Sequence, residues 1–210
     1  MKFASRQDAG RRLGKYLREC GVTADLILGL PRGGVVVAAE VARELELPLD
    51  VLVVRKIGHP LQREFAVGAL AEPDILIFDE LSLSEIPVMR SQLEEVLAEE
   101  TARLREYRTR FRHTASPSLN GKSVLLVDDG LATGATVEAA VVSAWRQKAK
   151  HVIVAVPVAS TSAVKKLKSS ADKVVALAVD SDFGAVGQYY ENFTQTSDDE
   201  VVALLSCAAK

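Results

Sequence analysis

The stretch Val124-Leu125-Leu126-Val127-Asp128-Asp129-Gly130-Leu131-Ala132-Thr133-Gly134-Ala135-Thr136 holds the residues best suited to chemistry. Its four leading apolar residues read as a buried strand. Two adjacent acids follow at the C-terminal end, where open α/β sheets bind ligands. Small residues then open a helix and let a ligand approach the backbone closely. The free N–H groups from Ala132 to Thr136 converge on one spot, and the helix dipole reinforces them. The hydroxyls of Thr133 and Thr136 add donors. Together these groups make a receptor for a phosphate dianion. A nucleotide phosphate alone gains nothing from two neighbouring carboxylates. A sugar phosphate does, because each carboxylate can accept hydrogen bonds from a vicinal diol while the phosphate sits in the loop. The Walker pattern is missing its lysine, and the dinucleotide glycine spacing is also absent.

The full 13-residue segment resembles the ribose-phosphate signature of type I phosphoribosyltransferases, which bind 5-phosphoribosyl-1-diphosphate (PRPP). Three further segments fit that family. Leu28-Gly29-Leu30-Pro31-Arg32-Gly33-Gly34 follows the first strand, where the resemblance implies a pyrophosphate loop formed by Pro31, Arg32, Gly33 and Gly34. Glycines there allow unusual backbone shapes, and an arginine can grip phosphate oxygens with two parallel donors. Arg55-Lys56-Ile57-Gly58-His59-Pro60-Leu61-Gln62-Arg63-Glu64 follows the second strand, where the family has a mobile loop that closes over the reacting centre. Arg55 and Lys56 would meet the departing pyrophosphate, and Gly58 would let the loop move. His59 reads as either a further contact or part of a solvated loop. The fourth segment runs from Asp180 to Phe193. In purine-using relatives a hood near the C-terminus stacks a ring on the base, which nominates Phe183 and Val186. The spacing departs from the 6-oxopurine enzymes, and core packing of Phe183 and Tyr190 is the alternative. Asp8–Gly10, Leu30–Gly34, Val54–Gly58 and Val186–Tyr190 together resemble a bacterial subgroup of the family whose acceptor is not settled.

The resemblance implies a Mg²⁺-dependent transfer. PRPP would place its diol on Asp128 and Asp129, its 5′-phosphate on Ala132, Thr133, Gly134, Ala135 and Thr136, and its diphosphate on the Arg32–Gly34 loop. Mg²⁺ keeps most of its water, so Asp128 is its one candidate protein contact, through water. A small-molecule acceptor would take the ribosyl group. Two rivals remain open. A PRPP-sensing regulator of the same fold would need a nucleic-acid-contacting element, and a phosphohydrolase would need a nucleophilic acid or a metal-ligand cluster beyond the diacid.

Positioning these residues takes a regular frame. Ser5-Arg6-Gln7-Asp8 reads as a capping box, with a helix over about 6–20. Strands are expected at 24–30, 49–54, 67–71, 75–78, 124–128, 153–158 and 173–179, and helices at 34–46, 134–148, 160–170 and from Asp198. Strands that are apolar throughout and alternate with helices imply a parallel sheet covered on both faces. The fold class is therefore α/β, and the resemblance makes it the Rossmann-like phosphoribosyltransferase fold. Residues 1–210 read as a single domain with a helical insertion at 82–116 and a hood plus terminal helix at 180–210. In the insertion a helix over 83–112, broken near Pro87, keeps Met89, Leu93, Val96, Leu97, Leu104, Tyr107 and Phe111 on one face. That face is a candidate homodimer surface. Arg103, Arg105, Arg108, Arg110 and Arg112 stand beside acids and read as a solvated face rather than a nucleic-acid patch.

Composition narrows the class further. At 210 residues, 48% hydrophobic, 26% charged and with net charge −2, the chain can bury a core without staples and has no global field for nucleic acid or membrane. The two cysteines, Cys20 and Cys207, can form neither a disulfide scaffold nor a cysteine zinc site. His59, His113 and His151 lack metal-ligand spacing. No apolar run resembles a signal or reaches about 18 residues. The expectation is a soluble, cytoplasmic protein with no membrane or nucleic-acid partner.

Overall fold

The computed structural model describes residues 1–78, 90–112 and 116–208. Chain order is α1 (Arg6–Glu19), β1 (Leu26–Gly29), α2 (Gly33–Leu45), β2 (Leu49–Val51), β3 (Val54–His59), β4 (Gln62–Ala71), β5 (Ile75–Phe78), α3 (Arg90–Phe111), β6 (Ser123–Val127), α4 (Ala135–Arg146), β7 (His151–Ser160), α5 (Thr161–Leu167), β8 (Lys173–Asp180) and α6 (Asp198–Ala208). Ser5 caps α1 as expected, its Oγ accepting from Asp8 N–H at 3.3 Å, while Asp8 Oδ2 reaches back to the N–H of Ala4, one residue before the cap, at 3.1 Å.

Five strands make a parallel sheet in the order β2-β1-β6-β7-β8. Its strands are apolar along their length because both faces are covered. On one face α1 and α2 bury Leu13, Leu17, Val37 and Val41 against Ile27, Leu125 and Ala155. On the other, α4 and α5 bury Val137, Val141, Ala144 and Leu167 against Leu126, Val152 and Val154.

A second sheet corrects the expected layout. The run 49–54 is not one strand: β2 ends at Val51, and from Val54 the chain enters a three-stranded antiparallel sheet, β3-β4-β5. The expected loop 55–63 is largely strand, with β3 and β4 joined by a turn at Pro60 and Leu61. Gly58 and Pro60 suggested a loop, yet Gly58 sits at a register shift in the ladder and Pro60 in the turn, where both are tolerated. His59 is buried there, and its Nδ1 accepts the N–H of Leu61 at 3.1 Å.

The apolar face of α3 is not available for a partner. Val96, Leu104 and Phe111 are buried with Ile57, Val67 and Leu70 of the second sheet and Val201 of α6. The part of the expected helix before residue 90 lies outside the described residues. The arginines of α3, and Arg112 just after it, are not simply solvated either. Arg112, 9% exposed, donates to Glu72 Oε2 at 2.5 Å, to Asp50 Oδ1 at 3.3 Å and to the carbonyl of Val51. Arg108 also meets Glu72, Arg103 pairs with Glu99 and Glu100, and Arg110 pairs with Asp198 and Asp199. Cys20 and Cys207 are free and exposed. Among the described residues no helix is long and apolar enough to cross a membrane.

Candidate functional site

Strand order decides where a ligand can sit. β1 and β6 are neighbours, with Gly29 opposite Val127. The chain leaves β1 through α2 toward β2, and leaves β6 through α4 toward β7 on the other side. The helices depart to opposite faces, so a crevice opens beyond the carboxyl ends of β1 and β6, the switch point at which such sheets bind ligands. Asp128 and Asp129 follow β6 there, and Pro31–Gly34 follows β1.

The two loops touch. The N–H of Leu30 donates to the Val127 carbonyl at 2.9 Å. A Cβ on Gly34 would lie 2.7 Å from Asp128 Oδ1, and one on Gly33 would collide with Asp129 Oδ2 and stand 2.6 Å from Arg6 Nε. Glycine is therefore required because the acids pack directly onto the loop backbone. The Pro31–Arg32 peptide bond is cis. Arg32 lies 3.6 Å from Asp198 at the start of α6.

Asp128 Oδ1 accepts the N–H of Asp129 at 2.8 Å. Burial, followed by repulsion from Asp129, pushes the Asp128 carboxyl well above the usual carboxylate range. Asp129 is also raised by burial, but Arg6 opposes the shift. Arg6 Nε donates to Asp129 Oδ2 at 2.7 Å, and both side chains are largely buried. Tyr190 Oη donates to the Asp129 carbonyl at 2.6 Å.

The loop after the diacid is fixed at both ends. Gly134 adopts φ +78°, the left-handed turn that lets α4 start at Ala135. Ala132 and Thr133 are exposed, and Ala135 and Thr136 half-buried. Ser160 at the end of β7 fastens the loop: its Oγ donates to the Ala132 carbonyl at 2.6 Å and accepts the Ala163 N–H at 3.0 Å. A pocket of about 440 Å³ adjoins the loop, lined by Thr133, Ser160, Ser162, Lys165, Phe183 and Gly184 among others. Phe183 stacks on Tyr189 with ring centroids 5.1 Å apart, and Tyr189 Oη donates to Asp180 Oδ2 at 2.6 Å. That bond pushes the Tyr189 phenol up to about 12. Val186 packs over Gly130, where a Cβ would lie 2.7 Å from its Cγ1.

The structure therefore brings together Asp128, Asp129, Gly33 and Gly34, and places Ala132–Thr136 on the same sheet edge. Arg55 is engaged elsewhere: its Nε donates to Glu100 Oε2 at 2.8 Å and its guanidinium lies 5.2 Å from the Tyr107 ring on α3. Lys56, next along β3, is exposed and by strand alternation belongs to the opposite face. Three residues were missed from sequence. Arg6 appeared only as part of a helix start, Ser160 had the signal of a helix N-cap, and Lys165 had none.

The sequence profile of the phosphoribosyl transferase domain matches residues 4–194. The chain belongs to this family. A protein from Thermus thermophilus, known from its crystal structure, is similar throughout, with 45% identity, 98% of each chain covered and a TM-score of 0.80. Two curated Mycobacterium tuberculosis proteins, from strains CDC 1551 / Oshkosh and H37Rv, are 44% identical over 207 residues, and their names assign them provisionally to the phosphoribosyl transferases. The match takes in 98% of this chain and 47% of theirs, so the chain spans about half the length of these curated relatives. A Neisseria gonorrhoeae protein crystallised with bound ppGpp shares the fold alone, at 15% identity and a TM-score of 0.51, with 99% of this chain and 94% of that one covered. Membership in the phosphoribosyl transferase family fits the five-stranded parallel sheet and its flanking helices.

Proposed function

We propose that the protein is a Mg²⁺-dependent phosphoribosyltransferase that moves the 5-phosphoribosyl group from PRPP to a nitrogenous acceptor, a nucleobase being the first class to test, and releases pyrophosphate. The observation that carries this reading is the packing of the diacid onto the glycine loop at the crevice between β1 and β6, with the 132–136 loop on the same sheet edge.

Asp128 and Asp129 receive the ribose diol. Ala132, Thr133, Gly134, Ala135 and Thr136 receive the 5′-phosphate on backbone N–H groups and two hydroxyls. Pro31, Arg32, Gly33 and Gly34 cradle the diphosphate. The acceptor nitrogen attacks C1 of the ribose and forms the C1–N bond. The C1–O bond to pyrophosphate breaks, pyrophosphate leaves with the electron pair, and the acceptor nitrogen sheds a proton. The transition state resembles an oxocarbenium ion, and the two carboxylates stabilise its positive ring. Lys56 meets the departing diphosphate. Arg55 would do so only by leaving Glu100. Phe183 and Val186 form the base side, Phe183 lining the pocket.

Among the described residues no group of three or more His, Cys, Asp or Glu could hold a metal. The donor set at the crevice is two carboxylates, one of them already paired with Arg6. It suits an ion that arrives on the diphosphate, with Asp128 reaching it through water, and not a protein cage. Such an ion would neutralise charge on the leaving group. The same reading treats 82–116 as an insertion and 180–210 as hood and terminal helix, puts the protein in the cytoplasm with phosphorylated sugars, and assembles it as a homodimer through a surface other than α3.

The test is a screen of nucleobases with PRPP and Mg²⁺, scored by pyrophosphate release. Turnover should vanish in the Asp128→Asn/Asp129→Asn variant, which should still unfold in one cooperative thermal transition. Unchanged turnover in that variant would refute the assigned roles. PRPP binding with no turnover on any base would favour a regulator instead.

A further inference from the structure

Asp129 is held by residues that belong to neither loop. Arg6, the first residue of α1, gives its Nε to Asp129 Oδ2 at 2.7 Å and its Nη1 to the Thr194 carbonyl at 2.7 Å. Its guanidinium carbon lies 3.9 Å from the centroid of the Phe193 ring. The segment that carries Phe193 and Thr194 is fixed in turn. Phe3 N–H donates to the Tyr189 carbonyl, and the N–H groups of Glu191 and Asn192 donate to the carbonyls of Phe3 and Ala4. Two segments far apart in sequence thus form a clasp around one carboxylate.

The contact is a single-point bond. A guanidinium set for bidentate pairing would take both oxygens of the acid. Here Nη1 goes to Thr194, and of the two carboxylate oxygens Arg6 bonds only Oδ2. Oδ2 also lies against Gly33, where a Cβ could not fit. Asp129 therefore has one anchored oxygen and one oxygen, Oδ1, that Arg6 leaves alone.

We propose that Arg6 is the positioning residue of the diacid: it pins Oδ2 of Asp129 so that Oδ1 faces a ribose hydroxyl of the sugar donor, with Phe193 and Thr194 holding Arg6 in that pose. This rests on the sugar-phosphate reading above and extends it. Residues 193–194, in a segment that reading gives to the acceptor side, act on the donor side.

The test compares wild type with Arg6→Gln, Arg6→Lys and Phe193→Leu by calorimetric titration with PRPP and Mg²⁺, and again with PRPP analogues lacking the 2- or the 3-hydroxyl. Arg6→Gln should weaken PRPP about tenfold, the size of one charge-assisted hydrogen bond. Arg6→Lys should restore part of the loss, and Phe193→Leu should fall between. In steady state the PRPP KM should rise with Kd while kcat falls less. With one of the two deoxy analogues the difference between wild type and Arg6→Gln should shrink to less than about twofold, because the hydroxyl read by Oδ1 is gone. A full loss that persists with both analogues, or unaltered PRPP binding in Arg6→Gln, overturns the inference. Failure of the underlying reading looks different: wild type does not bind PRPP at all. The crystal structure of Arg6→Gln then decides. An Asp129 carboxylate turned off Gly33 supports the positioning role, and an unmoved one overturns it.

Discussion

At the residue scale the site is built by close approach. Gly33 and Gly34 have carboxylate oxygens where any other residue would have a Cβ. Gly34→Ala should therefore displace Asp128 and abolish PRPP uptake, at a folding cost of about 1–3 kcal/mol typical of overpacking; calorimetry and thermal unfolding measure the two effects. Asp128 makes a second prediction. Burial raises its carboxyl well above the unfolded value, so between the two the native state holds more protons than the unfolded chain. Stability then falls as pH rises through that window. Asp128→Asn should melt higher than wild type at pH 7, converge with it in acid, and lose PRPP binding. The diacid and the glycine loop were legible because each is a run of consecutive residues. Arg6 was not, because its partner is 123 positions away and only the fold brings them together.

At the element scale α3 is fastened by charge as well as by its apolar face. Glu72 is buried, accepts the Val53 N–H at 2.8 Å and receives Arg112 and Arg108. Removing one partner of such a pair leaves the other charge buried, and breaking buried pairs costs about 3–5 kcal/mol. Arg112→Met should lower the denaturant midpoint accordingly and expose α3 to limited proteolysis, while Arg112→Met/Glu72→Gln should recover part of the loss. The helix itself was readable from its apolar spacing and its acid-to-base order. Its destination was not, since an apolar stripe fits an internal sheet as well as a second subunit. The β3–β4 hairpin was hidden for another reason: Gly58 and Pro60 mark a bulge and a tight turn as readily as a loop.

At the scale of the whole molecule, the alternation of apolar strands and helices is enough to imply the parallel sheet and its two covered faces. The switch point between β1 and β6 then follows from strand order, which periodicity cannot supply. Charge is also settled at this scale. Of the five arginines that could have formed a basic patch, Arg103, Arg108, Arg110 and Arg112 are matched by acids, and the net charge is −2. Duplex DNA or RNA should therefore produce no salt-dependent anisotropy change with this protein; such a change would revive the regulator reading. The clasp between Arg6 and Thr194 joins residues 188 positions apart, and contacts of such long range form only after the intervening chain is in place. During synthesis a ribosome-bound fragment that already carries the diacid would still lack its clasp. The growing polypeptide would gain its full grip on a sugar phosphate only once residue 194 had cleared the exit tunnel, so the order of synthesis would set when metabolite capture begins.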